Sequence, residues 1–213
     1  MPETATVFKS IILPTVTLLY CLSVKRKSLF FTFFLVLFSV SDLLVLIENF
    51  LPGKLNYDIG NVLYILAYAS LIIEIGRSIS FPHILKNYKL HLFVLAVLNI
   101  YIIYVLQVIV GPHYQKGSVF YIELIYNVLI LLLLSMSLLN YFYHDNVKSF
   151  YLFLASLFIV FGEVLWIAYT YIAERNLLNV ISTTLFGLSC YFFFKQAVLS
   201  NIGGKKRTST LFD

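Results

Sequence analysis

Apolar residues come in long blocks, and short polar stretches separate them. Seven such blocks stand out: Val7–Val24, Leu29–Phe50, Ile59–Gly76, Leu90–Val110, Val119–Tyr143, Phe150–Ile172 and Leu177–Leu199. A helix crosses the hydrocarbon core of a bilayer in roughly 20 residues. The pattern therefore predicts an all-α, polytopic membrane bundle of seven spans, one domain over residues 1–213 with a short basic tail at 200–213. The breaks have ordinary loop chemistry: Lys25-Arg26-Lys27, Pro52-Gly53, Phe81-Pro82, Gly111-Pro112, His144-Asp145-Asn146 and Glu174-Arg175-Asn176. All are short, so successive spans are expected to pack antiparallel. The second and third spans resemble the sixth and seventh. Each pair is an acid-bearing helix, a turn, then a helix that opens on Asn61-Val62-Leu63 or Asn179-Val180-Ile181. Two parallel repeats are the expectation.

Composition agrees with the blocks. Hydrophobic residues make up 61% of the chain and charged ones 12%, about half the ~25% of soluble proteins. Mean hydropathy is +0.91. No soluble domain fits in the remaining length. The net charge of +5 does not point to nucleic acid, because the basic residues follow the loops. Lys25, Arg26, Lys27, Arg77, Lys86, Lys89, Lys148, Lys205, Lys206 and Arg207 fall on one side, against Lys9, Lys54, Lys116 and Arg175 on the other. By the positive-inside rule the N-terminus is outside and the C-terminus cytoplasmic. The basic tail then meets anionic lipid. Met1 to Phe8 has no basic region and no apolar core of a cleavable signal peptide. Cys21 and Cys190 lie in apolar runs and read as small buried hydrophobes.

Candidate chemistry begins with two acids. Asp42 and Glu163 each sit well inside an apolar block. An acid at the centre of a span costs roughly 2.5–3.5 kcal/mol on insertion scales, so it marks a functional site. Helical spacing puts Asp42 on a face with Ser39 and Asn49, with Ser41 near, and Glu163 on a face with Ser156 and Thr170, one turn from Trp166. Both acids are expected at one depth, in the outer half of the membrane. A protonated Glu163 beside apolar neighbours and an ionised Asp42 beside serines would suit general acid–base chemistry. The alternative is a structural knot between helices. Asn61, Tyr64 and Tyr68 share a face, as do Tyr104 and Gln107, and Glu123 and Asn127. Asn61, Tyr64, Tyr68, Glu123 and Asn127 are the candidate substrate-binding set, although interfacial aromatics and interhelical hydrogen bonds explain such residues equally well. Glu74 and Arg77 are spaced for a local ion pair. Lys195 is too near its helix end for a Schiff-base lysine and reads as a snorkelling side chain. His83, His91, His113 and His144 are scattered, with no metal-ligand spacing, so no metal or cofactor is expected.

At these positions the chain resembles the YhhN family, the bacterial relatives of membrane lysoplasmalogenase. The likeness rests on Val7-Phe8-Lys9-Ser10, on Leu37-Phe38-Ser39-Val40-Ser41-Asp42, on Asp58-Ile59-Gly60-Asn61, and later on Ala155-Ser156-Leu157-Phe158 and Glu163-Val164-Leu165-Trp166. The resemblance implies a bacterial inner-membrane hydrolase that cleaves the vinyl ether bond of a lysophospholipid, with Asp42 and Glu163 as its acids and no metal. The chain departs from the family pattern in three ways. One span fewer is expected, Ser41 stands before the first acid where the family has Gly, and no histidine follows either acid in the next helix. The alternative reading, from a different class, is a non-catalytic protein of the same fold. It would bind membrane lipid or carry a small solute or protons on the same carboxylates.

Overall fold

The computed structural model describes residues 2–46, 53–113 and 118–209; at 2–6, 8, 53–55, 113, 118 and 201–209 only the backbone is described. The described residues form eight α-helices and no strand: α1 (Pro2–Ser23), α2 (Leu29–Leu44), α3 (Gly53–Ser78), α4 (Phe81–Asn87), α5 (Lys89–Val110), α6 (Ser118–His144), α7 (Val147–Tyr171) and α8 (Asn176–Ser209). Only helices and closed barrels satisfy every backbone group inside lipid, and apolar blocks of this length meet that demand as helices. Helices α3 and α5–α8 are long and apolar enough to cross a membrane, whereas the apolar stretches in α1 and α2, Lys9–Ser23 and Leu29–Leu44, are shorter. Five such helices in one chain are the mark of an integral membrane protein. The second apolar block was expected to reach Phe50. Helix α2 ends at Leu44, a single 3-10 turn follows, and the rest of that block lies outside the described residues.

Helix α4 is an element the apolar pattern did not predict, because Phe81-Pro82 reads as a break. Proline is tolerated in a helix's first turn, where its missing N–H has no partner to lose, and Pro82 occupies that turn. The turn between α6 and α7 is built by Asp145, the one described non-glycine residue with positive φ, at 42°. Asp visits this region more readily than most residues. Asn146 then caps α7 by accepting from the Ser149 amide at 2.8 Å.

The helices pack as two similar halves. In the first, α1 packs on α2 and α2 on α3. In the second, α6 packs on α7 and α7 on α8. The halves meet twice, α1 against α8 and α3 against α6, as a two-fold axis along the bundle requires. The buried positions repeat as well. Phe31, Phe34, Leu35, Phe38, Ser39 and Ser41 of α2 recur, at constant spacing along the chain, as Leu152, Ala155, Ser156, Ile159, Val160 and Gly162 of α7. Likewise Ala67, Tyr68, Leu71 and Ile75 of α3 recur as Ser189, Cys190, Phe193 and Ala197 of α8. This register pairs Asn61 with Thr183. The expected match of Asn61 with Asn179 is therefore one helical turn out. Burial fixes the register, whereas the shared Asn-Val dipeptide does not.

Helix α5 stands outside both halves. It packs chiefly on α6 and exposes Leu90, Phe93, Val94, Val97 and Ile100 along its length. A single extra crossing between two three-helix units makes the second unit run in the same direction as the first. Without a hydrophobic drive between helices in lipid, close packing and hydrogen bonds hold such a bundle together. Here Ser41 Oγ donates to the Gly60 carbonyl at 2.8 Å, and Ser182 Oγ to the Gly162 carbonyl at 2.9 Å. These are the same α2–α3 and α7–α8 contacts in the two halves, with donor and acceptor exchanged.

Candidate functional site

The two acids stand at equivalent positions of the two halves, directly after Ser41 and Gly162. Both line one cavity of about 280 Å³ at the end of the bundle where α1, α3, α6 and α8 begin. All six helices of the repeats reach it and α5 does not. It lies on the internal two-fold, where parallel repeats of membrane transporters also place their sites.

Asp42 is buried and has two differently placed oxygens. Tyr64, from α3, donates its hydroxyl to Oδ1 at 2.6 Å. Oδ2 has no partner. A buried polar atom without a partner is uncommon and costly, and in a cavity wall it is an open acceptor for a ligand. The serines expected to support Asp42 serve other helices instead. Ser39 shares a 2.7 Å hydrogen bond with Thr17 of α1, and Ser41 is spent on Gly60. Asn49 lies outside the described residues. Glu163 is half-buried and lines the cavity with Trp166 and Thr170, as its helical face predicts. Ser156, two turns deeper on the same face, is fully buried below the cavity and bonds its own helix at the Leu152 carbonyl.

Of the expected binding set, Asn61, Tyr64 and Glu123 line the cavity. Glu123 accepts a hydrogen bond from Tyr57, which ties α6 to α3 at the cavity. Tyr68 and Asn127 do not line it. Both are fully buried beneath the floor, Tyr68 with its ring 5.6 Å from those of Phe38 and Tyr126. They lie one turn below Tyr64 and Glu123, so they share the predicted faces but at a depth where the helices have closed together. Tyr104 and Gln107 are on peripheral α5, with Tyr104 largely exposed, and contribute nothing to the cavity.

Sequence reasoning missed Lys9 as a site residue. Its Nζ lies 4.6 Å from the centre of the Trp166 ring and 5.4 Å from that of Phe186. It is the one cation among the described residues that line the cavity, facing Asp42, Glu123 and Glu163. The signal was present: a lysine inside an apolar block is as unusual as an acid. Tyr57, Tyr126, Thr183 and Phe186 also line the cavity, and nothing in their spacing distinguished them from other interior residues.

Two other residues, Arg77 and Cys21, depart from expectation. Arg77 stacks over the Phe30 ring at 5.2 Å instead of pairing with Glu74. Lys195 lies 5.5 Å from the Tyr191 ring, away from the cavity. Cys190 is buried as expected, but Cys21 is exposed on α1, an apolar block having a lipid-facing side as well as a buried one. Among the described residues no group of His, Cys, Asp or Glu is arranged to hold a metal ion.

The cavity can thus offer an open carboxylate oxygen, a second carboxylate from the opposite half, a cation and an aromatic wall. No known family model, curated protein or solved structure matches the chain.

Proposed function

We propose that the protein is a membrane hydrolase of ether lipids, of the lysoplasmalogenase kind. The observation that carries this reading is the convergence of Asp42 and Glu163 on one cavity, with Tyr64 holding Asp42 by one oxygen and leaving the other open. Glu163 delivers a proton to the β-carbon of the vinyl ether, and the double-bond electrons form the new C–H bond. The resulting oxocarbenium ion is stabilised by the Asp42 carboxylate. Water attacks that carbon as Asp42 takes its proton, and the hemiacetal collapses to a fatty aldehyde and a free glycerol hydroxyl. One water is consumed, and the proton returns from Asp42 to Glu163 between turnovers. The logic parallels the carboxyl pair of glycosidases.

The cavity is near the lower end of the roughly 300–1,000 Å³ of ligand pockets. It takes the vinyl ether and polar head of a lysolipid while the chain remains among the helices or in lipid. In this reading α1 and α2 cross the membrane with the five longer helices, giving seven spans in a bacterial inner membrane. The loops with Lys25, Arg26, Lys27, Arg77, Lys86 and Lys89 lie in the cytoplasm and the cavity opens outward. Their positive charge supports that orientation.

The test is aldehyde release from a lysoplasmalogen by the purified protein in detergent. Asp42→Asn and Glu163→Gln are each expected to abolish release while the protein elutes as a single folded species. A folded wild type that releases no aldehyde from several vinyl ether lipids would sink the proposal.

A further inference from the structure

We infer that Lys9 holds the phosphate of the lysolipid and makes the cavity selective for ether lipids that carry one. The inference rests on the lysolipid reading of the cavity and adds the residue that recognises the head. Its ground is the way Lys9 is held. A lysine drawn into a polar site inside a membrane bundle commonly ends in an ion pair with an acid. Among the described residues Lys9 makes no ion pair, although Asp42, Glu123 and Glu163 line the same cavity. Its ammonium rests instead on aromatic faces, 4.6 Å from the centre of the Trp166 ring and 5.4 Å from that of Phe186. Rings attract a cation at this range. They fix where the charge sits but offer no strong acceptor to its three N–H donors. The group is positioned and unspent, and a lysine of that kind binds phosphate as a point charge.

The wall around Lys9 suits an anion. Lys9 comes from α1 and rests on rings of α7 and α8, so it stands at the α1–α8 seam. Among the described residues, α1 and α8 line the cavity with Lys9, Ser10, Asn179, Thr183 and Phe186, which include no carboxylate. Asn179, Thr183 and Phe186 share one face of α8. Thr183 donates its hydroxyl to Asn179 Oδ1 at 3.5 Å, which leaves the amide N–H groups of Asn179 as the free end of that side chain. Glu123 belongs to the other seam, where Tyr57 of α3 holds it from α6. The two-fold that relates the halves exchanges these seams, so they face each other across the cavity. Asp42 on α2 and Glu163 on α7 come in from the sides between them, and Glu163 is protonated at the start of the proposed reaction. A lysolipid with its phosphate at Lys9 therefore extends its glycerol toward the middle of the cavity, with the vinyl ether between the two acids.

The test uses the whole chain in detergent and its sole tryptophan, Trp166, whose emission reports on the ammonium beside it. The probe is a saturated alkyl-ether lysophosphatidylethanolamine, which has no vinyl double bond and is not cleaved. The comparisons are the matching alkylglycerol, which lacks the head, and free glycerol phosphate, which lacks the chain. The wild type is expected to bind the phosphate lipid about tenfold more tightly than the alkylglycerol, and glycerol phosphate more weakly than the lipid. Lys9→Met is expected to lose that preference with its affinity for the alkylglycerol unchanged, and Lys9→Arg to keep it. A wild type that binds the two lipids equally, or a folded Lys9→Met protein that still prefers the phosphate, overturns the role of Lys9. Equal affinity for glycerol phosphate and the phosphate lipid overturns the lipid as the source of the phosphate. Neither lipid is cleaved, so the result is independent of turnover. A chain with the Lys9-dependent preference that releases no aldehyde keeps the phosphate site and loses the hydrolase.

Discussion

The two oxygens of Asp42 meet different surroundings, and the chemistry proposed for this chain follows from that difference. Oδ1 accepts from Tyr64 and Oδ2 has nothing. A hydrogen bond to a charged group contributes about 1.5–3 kcal/mol, and its loss leaves the buried partner exposed to the full cost. Tyr64→Phe removes the hydroxyl and keeps the ring that packs edge-on against Phe38 at 4.7 Å. It is expected to lower the rate of aldehyde release at saturating substrate by about tenfold or more, roughly 1.4 kcal/mol in the barrier. The far-ultraviolet circular dichroism should not change. A variant with full turnover would show that Asp42 needs no positioning and that the bond is merely structural. Lys9 belongs to the same scale. With Trp166 on one side and carboxylates across the cavity, its charge opposes theirs.

Helix contacts in this bundle depend on small residues more than on large ones. At Gly162 an added Cβ would sit 3.4 Å from the Ser182 carbonyl and 3.6 Å from Leu185 Cβ. That is ordinary contact for a methyl group and leaves no room for anything larger. Gly162→Ala is thus expected to leave the melting temperature in detergent nearly unchanged. Gly162→Leu should force α7 from α8, break the Ser182 hydrogen bond and cost about 1–3 kcal/mol as overpacking. Equal melting temperatures for the two variants would mean that α7 and α8 are not close-packed here. Much at this scale was legible in the sequence, because apolar block length sets the helices and lone acids mark the interior. The long helices cover the apolar blocks to within one residue, with α3 starting six residues earlier and α8 ending ten residues later, and Asp42 and Glu163 could be found as isolated charges. What was not legible depended on neighbours. Ser39 and Ser41 were read as partners of Asp42 since they are close in sequence, but a serine in a helix bonds whichever neighbour presents a partner: Ser39 bonds the Leu35 carbonyl and the Thr17 hydroxyl, and Ser41 the Gly60 carbonyl. Tyr68 and Asn127 were grouped with Tyr64 and Glu123 by helical face. Periodicity gives the face and says nothing about the depth at which a cavity ends.

The proposed reaction asks two acids at equivalent positions of the two halves to do different work. A symmetric pair of half-bundles would present each acid with the same neighbours, and neither could be assigned the proton donor's part. The symmetry is broken at the partner position. Tyr64 of α3 corresponds, in the register set by burial, to Phe186 of α8, and both line the cavity. Asp42 accordingly has a phenol to accept from, whereas Glu163 faces a bare ring at the equivalent place. A phenol that donates to a carboxylate stabilises its charged form, and its absence removes that preference. In the proposed reaction the first half supplies the base and the second the acid. Restoring the symmetry should then damage the reaction. Phe186→Tyr gives Glu163 the donor that Asp42 has, opposes its service as a proton donor, and is expected to cut aldehyde release about tenfold. It adds a single oxygen at a cavity wall, so the fold should be retained, and melting temperature checks that. If turnover persists at the wild-type rate in a Phe186→Tyr protein that melts normally, the difference between the halves does not lie in this pair, and Glu163 owes its role to Trp166 or to Lys9 instead.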